Sequence, residues 1–252
     1  MRILSQVCLF IGCLALVDIA RAQEPAKTEP PAPNLMFSAE QIMEKNIAAL
    51  GGRQALEKTT SYALKATMES PSRGLQGALE IYGKAPNKRL TITTIKGVGA
   101  IKQGYDGQAG WSEDPYRGLH ALTGEELEIA RLSAVFNAEL RWLDLFTKAE
   151  LTDTEDTAFV IRLTRKDGSF VIRRYDKQTF LLLREDAIYE GPQGRIPIET
   201  HYADYREVDG SKLAFHWTQK TPVGEMMIKV TEVKNNVELD DARFTRPARA
   251  KQ

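Results

Sequence analysis

Cysteine is missing from nearly all of this 252-residue sequence, whose two cysteines, Cys8 and Cys13, both lie near its start. Without its first 22 residues the chain has no disulfide, no thiol chemistry and no cysteine-bound metal or haem. Later apolar runs all fall well short of the roughly 20 residues that a spanning helix needs. Charge of one sign is also lacking, because 34 basic residues balance 34 acidic ones. The sequence therefore gives no electrostatic reason to bind nucleic acid or an anionic membrane.

Familiar catalytic motifs are absent too. The sequence contains no G-x-S-x-G nucleophile elbow, no H-E-x-x-H zinc motif, no P-loop and no C-x-x-C-H haem motif. We therefore predict no catalytic residues, no cofactor and no enzymatic activity.

The first 22 residues have the pattern of a secretion signal. Arg2 precedes an apolar run over residues 3–17, and Ala20-Arg21-Ala22 forms an A-x-A cleavage site. We predict cleavage after Ala22 and a periplasmic location; a retained N-terminal anchor and lipidation at Cys13 are the alternatives. Residues 23–36 are proline-rich and polar, which predicts a tether without a packed core.

Residues 37–248 are predicted to form one mainly β domain of the α+β class. Ser38 and Gln41 have capping-box spacing, and Gly51-Gly52 is a helix stop, so a first helix is expected between them. The apolar period then changes to two, and turn pairs such as Asp106-Gly107 separate the strands. Short connections predict antiparallel neighbours in a single curved sheet of about 11–12 strands, with about three helices packed on it as a lid or plug. The predicted strands are 61–69, 76–83, 88–96, 99–105, 108–112, 147–152, 157–165, 169–175, 180–190, 196–206, 212–220 and 225–234.

A helical interlude over residues 123–146, here called the lid segment, interrupts the strands. Thr123 and Glu126 again have capping-box spacing, and large apolar side chains follow. Sheet and lid segment could line an apolar pocket for a lipid or acyl chain, or the same side chains could be ordinary core. The candidate lining residues are Trp111, Leu132, Phe136, Leu140, Trp142 and Phe146.

Two histidines form the weak candidate for a metal site. If Asp209-Gly210 is a two-residue hairpin turn, His201 faces Thr218, and His216 lies diagonally from His201 on the same face as Glu199. Two imidazoles and a carboxylate could hold zinc. Exposed polar side chains on the outside of a sheet have the same pattern, and we predict no metal.

Several segments, in this order, resemble the LolA/LolB-like, outer-membrane lipoprotein-sorting-protein-like family. They are residues 48–56 (AALGGRQAL), 81–88 (IYGKAPNK), 104–111 (GYDGQAGW), 175–184 (YDKQTFLLLR) and 202–210 (YADYREVDG). The resemblance covers residues 38–247 and implies an unclosed β-barrel with a helical lid, a periplasmic location and an apolar cavity for acyl chains. In true LolA an arginine latches the lid, and Arg131 and Arg141 lie in the corresponding kind of segment.

The resulting hypothesis is a monomeric periplasmic carrier or sensor that binds a lipid or lipoprotein acyl chain. An inner-membrane donor and an outer-membrane acceptor are the partners that the resemblance implies. One alternative is a protein-interaction module with a filled barrel; a weaker one is a metal-dependent or other hydrolase in the same shell.

Overall fold

A computed structural model describes residues 37–191 and 194–248. The predicted signal and tether lie outside these residues. Within them, 13 strands form one antiparallel sheet and four α-helices pack with it. No helix in this part of the chain is long and apolar enough to cross a bilayer.

Two helices precede the strands, which follow one another in hairpins interrupted once by two further helices. The helices are α1 (Ala39–Ala49), α2 (Arg53–Lys58), α3 (Gly124–Ser133) and α4 (Trp142–Leu145). The strands are β1 (Ser61–Ser70), β2 (Leu75–Lys84), β3 (Lys88–Ile95), β4 (Gly99–Tyr105), β5 (Gly110–Asp114), β6 (Gly118–Ala121), β7 (Lys148–Thr154), β8 (Ala158–Thr164), β9 (Phe170–Asp176), β10 (Leu182–Gly191), β11 (Gly194–Val208), β12 (Ser211–Thr221) and β13 (Gly224–Asn235).

The sheet consists of two meanders joined in the middle. Its strand order is β6-β5-β4-β3-β2-β1-β13-β12-β11-β10-β9-β8-β7. The β1–β13 pair, in which Leu64 faces Val233, joins the six-strand meander to the seven-strand one. The outermost strands, β6 and β7, are not paired with each other, so the barrel stays open as predicted. The sequence reading missed β6, because its four residues GLHA are too few to establish an apolar alternation.

The start of α1 confirms the first predicted capping box. The backbone N–H of Gln41 donates to Ser38 Oγ at 3.2 Å, and the backbone N–H of Ser38 donates to Gln41 Oε1 at 2.8 Å. At the second predicted capping box, Thr123 is the N-cap of α3 but makes no side-chain cap bond. Glu126 instead accepts hydrogen bonds from the guanidinium of Arg117 in the β5–β6 turn. The Glu126 side chain thus makes a tertiary ion pair instead of the predicted capping-box bond.

The two faces of the sheet are covered differently. The face on which the helices pack, here called the lid face, carries a central cluster that includes Leu64, Leu79 and Ile228. On the second meander the same face meets α1 through Ile161 and Leu163. The opposite, outer face is covered over β2–β6 by the C-terminal segment 237–244, which encloses a separate cluster.

Gly51 connects α1 to the β11–β12 turn at close range. Its φ is +117°, and a Cβ there would lie 2.2 Å from the carbonyl oxygen of Gly210. Gly52 also has a positive φ, +84°, but a Cβ there would meet nothing within 4 Å. Alanine at either position strains the backbone by about 1–2 kcal/mol, and only at Gly51 does it also push the turn away.

We therefore expect Gly51→Ala to lower the free energy of unfolding by about 3 kcal/mol or more, and Gly52→Ala by about 1–2 kcal/mol. Urea denaturation of both variants measures the difference. Equal losses would show that the contact with Gly210 contributes nothing.

Candidate functional site

Helix α3 has two differently occupied faces. Leu127, Ala130 and the following Ala134 pack on the sheet against Tyr105 and Leu122. The spacing i, i+3, i+4, i+7 places a second set of side chains together on another face of the helix. That face consists of Glu125, Glu128, Ile129 and Leu132, all of which line a cavity.

This cavity, here called the lid cavity, has a volume of about 640 Å³ and separates α3 from the β8–β9 turn and strands β9–β11. Its size lies within the range of small-molecule sites, about 300–1,000 Å³. Side chains of β10 and β11 form the wall opposite α3, and the β8–β9 turn closes one end. The main residues of that wall and turn are Arg165, Phe170, Ala187, Tyr189, Ile198, Thr200 and Tyr202.

A buried ion pair lies at the floor of the lid cavity. Arg173 Nε is 2.7 Å from Glu185 Oε2, and the two side chains are 3% and 12% exposed. Burial by itself would lower the pKa of Arg173, but Tyr175, Glu185 and Glu139 together raise it well above its usual value. Arg173 is therefore charged, and Glu185 is held in place as its counter-ion.

The remaining polar groups on the α3 side are near the solvent. Glu128 forms a salt bridge with Arg131 one helical turn away, in which Arg131 Nη2 lies 2.6 Å from Glu128 Oε1. Tyr189, across the cavity, has a raised pKa because it is partly buried and lies near Glu125 and Glu126. The cavity thus combines apolar side chains with an ion pair at its floor and polar groups at its border, as expected for an amphiphilic ligand.

A second, smaller cavity of about 110 Å³ lies beyond the C-terminal end of α3. Leu64, Phe136, Leu213 and Val233 line it, and the rings of Tyr62 and Phe136 are 5.7 Å apart. Ser133 borders both cavities, so the end of α3 separates them.

Arg89 ties this end of α3 to the sheet. It is buried on β3, and its Nη1 donates to the backbone carbonyl of Ser133 at 3.0 Å while its Nε donates to Thr91 Oγ1 at 3.2 Å. Burial lowers the pKa of Arg89, but an arginine remains charged in proteins. Sequence reasoning missed this residue. The available signal was its register, since Arg89 pairs with Gly83, which shares the lid face with Leu79 and Ile81.

The structure divides the six predicted lining residues among four places. Leu132 borders the lid cavity and Phe136 the second cavity. Leu140, Trp142 and Phe146 pack with α1 and strands β7–β10 in one core cluster. That cluster is continuously packed, and these three residues line neither of the two cavities.

Trp111 lies on the outer face, away from both cavities. It is 3% exposed and packs with Leu90, Leu239 and Phe244 beneath the C-terminal segment. Its indole Nε1 donates to the carbonyl of Phe244 at 2.8 Å, and its ring lies against Gly104, where a Cβ would collide with it. The structure therefore does not bring Trp111 together with the lid residues.

The predicted register around the histidines is confirmed. Val208 pairs with Ser211 and His201 with Thr218, and both turn residues, Asp209 and Gly210, have positive φ as a type I′ turn requires. His201 Nε2 contacts Glu199, whose carboxylate also contacts Arg184. Among the described residues, no group of three or more His, Cys, Asp or Glu side chains could hold a metal ion.

The sequence matches no family profile and no curated protein. Solved structures, in contrast, are similar over most of the chain. A LolA superfamily protein from Nitrosomonas europaea superimposes with a TM-score of 0.55 at 16% identity, covering 83% of this chain and 98% of that one. The chain has a LolA-like fold.

Two further structures share this fold at a TM-score of 0.51. An outer membrane lipoprotein-sorting protein domain from Vibrio parahaemolyticus is 14% identical and covers 82% of this chain and 95% of that one. A DUF1329 family protein from Desulfovibrio piger is 16% identical, with coverages of 82% and 97%. At such identities the likeness shows the fold alone.

Within this LolA-like fold, the two arginines proposed from sequence make only local salt bridges among the described residues. Arg131 pairs with Glu128 and Arg141 with Asp144, each three residues away. Arg89, not Arg131 or Arg141, joins the lid segment to the sheet.

We expect Arg89→Gln to loosen α3 without unfolding the sheet. Removing a charged donor from a buried carbonyl costs about 1.5–3 kcal/mol, so hydrogen exchange of the α3 amides should accelerate at least about tenfold. Arg131→Gln is the matched control, because it removes an exposed pair within the helix worth about 0.2–0.5 kcal/mol. Unchanged exchange of α3 in the Arg89 variant would show that Ser133 is held by other contacts.

Proposed function

We propose that this protein binds an acyl chain of a lipid or lipoprotein in the lid cavity and carries or senses it in the periplasm. The supporting observation is the cavity of about 640 Å³ between α3 and strands β9–β11. A filled barrel would have packed α3 onto the opposite wall. Here Ile129 and Leu132 on α3 face Ile198 and Tyr202 across a space large enough for a ligand.

Apolar burial supplies the driving force for this binding. Each methylene transferred from water to the cavity contributes about 0.8 kcal/mol. Ten methylenes would contribute about 8 kcal/mol before the costs of ordering the chain and losing its translational freedom. This is enough for specific binding and still permits release to an acceptor.

Small contacts hold α3 over the cavity, which suits a segment that must move aside for a ligand. The helix packs on the sheet through small or partly buried side chains of its own, Leu127, Ala130 and Ala134. Arg89 anchors its C-terminal end. The role of lipoprotein sorting, stated for the Vibrio parahaemolyticus domain, supports a lipoprotein as the ligand. On this account an inner-membrane donor would load the cavity and an outer-membrane acceptor would empty it.

Native mass spectrometry of the protein purified from bacterial periplasm tests the proposal. We expect a bound lipid near one per chain, or its appearance after incubation with phospholipid and acylated peptide. A mass that stays that of the bare chain under all these conditions would contradict acyl binding and favour the protein-interaction module.

A further inference from the structure

Arg165 places a cation at one end of the lid cavity. It follows β8 directly, at the start of the tight β8–β9 turn, where its backbone N–H donates to the Ser169 carbonyl at 2.7 Å. Its guanidinium lies 5.4 Å from the centre of the Phe146 ring, within the range of a cation–π contact. The side chain borders the cavity at the end formed by the turn.

This guanidinium uses little of its donor capacity. Arginine presents five N–H donors, yet the hydrogen bond that Arg165 makes with its side chain goes from Nη1 to Ser169 Oγ at 3.3 Å. Its Nε is buried and has no partner within the described part of the chain. No carboxylate of the described residues forms a salt bridge with it. Burial lowers the pKa of Arg165, and the nearby Glu185 and Asp167 only partly offset this effect.

The carboxylates around the cavity are largely engaged by other groups. Glu185 is bound to Arg173 at 2.7 Å, and Glu128 to Arg131 at 2.6 Å. Asp167 accepts hydrogen bonds from the backbone N–H and the hydroxyl of Ser169, at 2.9 and 2.7 Å. Arg165 is thus a cation beside a partly apolar cavity, and the neighbouring anions named above already have partners.

We propose that Arg165 binds the oxyanion, phosphate or carboxylate, at the head of an amphiphile whose acyl chain occupies the lid cavity. This inference rests on the proposed function and specifies its ligand class: anionic rather than neutral amphiphiles. The chain lies along Ile129, Leu132 and Ile198, and the head group reaches the β8–β9 turn. A planar guanidinium with free donors suits a phosphate or carboxylate, which accepts two parallel hydrogen bonds.

The test compares three soluble amphiphiles with the same chain: lauric acid, lauryl phosphate and lauryl alcohol. Displacement of a fluorescent acyl probe from the full protein gives their affinities. We expect the two anions to bind at least about tenfold more tightly than the alcohol. Tighter binding of lauryl phosphate points to a phospholipid as the natural source of the head group, and tighter binding of laurate to a fatty acid.

Arg165→Gln should reduce this anion preference to within about twofold and leave the affinity for lauryl alcohol unchanged, which also shows that the cavity is intact. Lys166→Gln, an equal loss of charge at the adjacent exposed position, should keep the preference. If the wild type binds alcohol and anions equally, or Arg165→Gln keeps the preference, the oxyanion site is wrong and the acyl site stands. If none of the three binds, both are wrong.

Discussion

Leu132→Asp is expected to weaken acyl binding by about 100-fold or more. Leu132 is half-buried on the face of α3 that borders the lid cavity, and it belongs to none of the packed apolar clusters of the described chain. A carboxylate there must either lose hydration when the chain enters or keep water in the cavity, and both outcomes cost several kcal/mol. Because Leu132 borders the open cavity rather than packed side chains, the free energy of unfolding should change by less than about 1 kcal/mol.

Leu143→Asp is the matched control for this variant. Leu143 belongs to the same lid segment but is 72% exposed, so the same chemical change should leave binding and stability unaltered. Titration with a fluorescent acyl probe, together with urea denaturation, separates the two effects. Equal affinities for Leu132→Asp and the wild type would remove α3 from the binding site.

Phe244→Ala is expected to lower the free energy of unfolding by about 3–5 kcal/mol, the usual cost of emptying a buried phenylalanine site. Phe244 is fully buried, and it packs with Leu90, Trp111 and Leu239 on the outer face of the first meander. Its carbonyl also fixes the Trp111 indole. Loss of the ring therefore weakens the attachment of the whole C-terminal segment.

The same variant should bind acyl chains normally, because its cluster lies on the face of the sheet opposite to the lid cavity. Glu238→Ala provides the control, since Glu238 is exposed in the same segment. Urea denaturation measures the stability and the acyl probe measures binding. A loss below about 1 kcal/mol, or a loss of binding in a folded protein, would contradict this division between the faces.

Local patterns predicted much of the sheet. The Asp209-Gly210 turn fixed the pairing of His201 with Thr218, because a two-residue turn leaves a single register. The Ser38 capping box and the glycines after α1 likewise placed that helix correctly. The order of family-like segments predicted the open barrel that the solved structures share. In the turn and the helix a few neighbouring residues determine the outcome, whereas the barrel followed from the order of segments along the whole domain.

The candidate site depended on contacts between distant parts of the chain, which no local pattern records. Trp111 was predicted to line the pocket because an aromatic residue on a strand gives no sign of which face is covered. The segment ending at Phe244 covers it on the outer face. The lid segment contains two helices rather than one, so Leu132 reaches a cavity while Trp142 and Phe146 join the core with α1. Arg89 was missed because its role follows from the Ser133 carbonyl that it faces, and the role proposed for Arg165 likewise follows from the cavity beside it.

Photo-crosslinking with a fatty acid that carries a diazirine near its chain end tests the central claim most directly. The labelled peptides, identified by mass spectrometry, should come from α3 and from strands β10 and β11, which face each other across the lid cavity. Excess unlabelled fatty acid should suppress this labelling, and Leu132→Asp should abolish it. Labelling confined to the outer face, or labelling that excess unlabelled fatty acid does not suppress, would contradict acyl binding between lid and sheet.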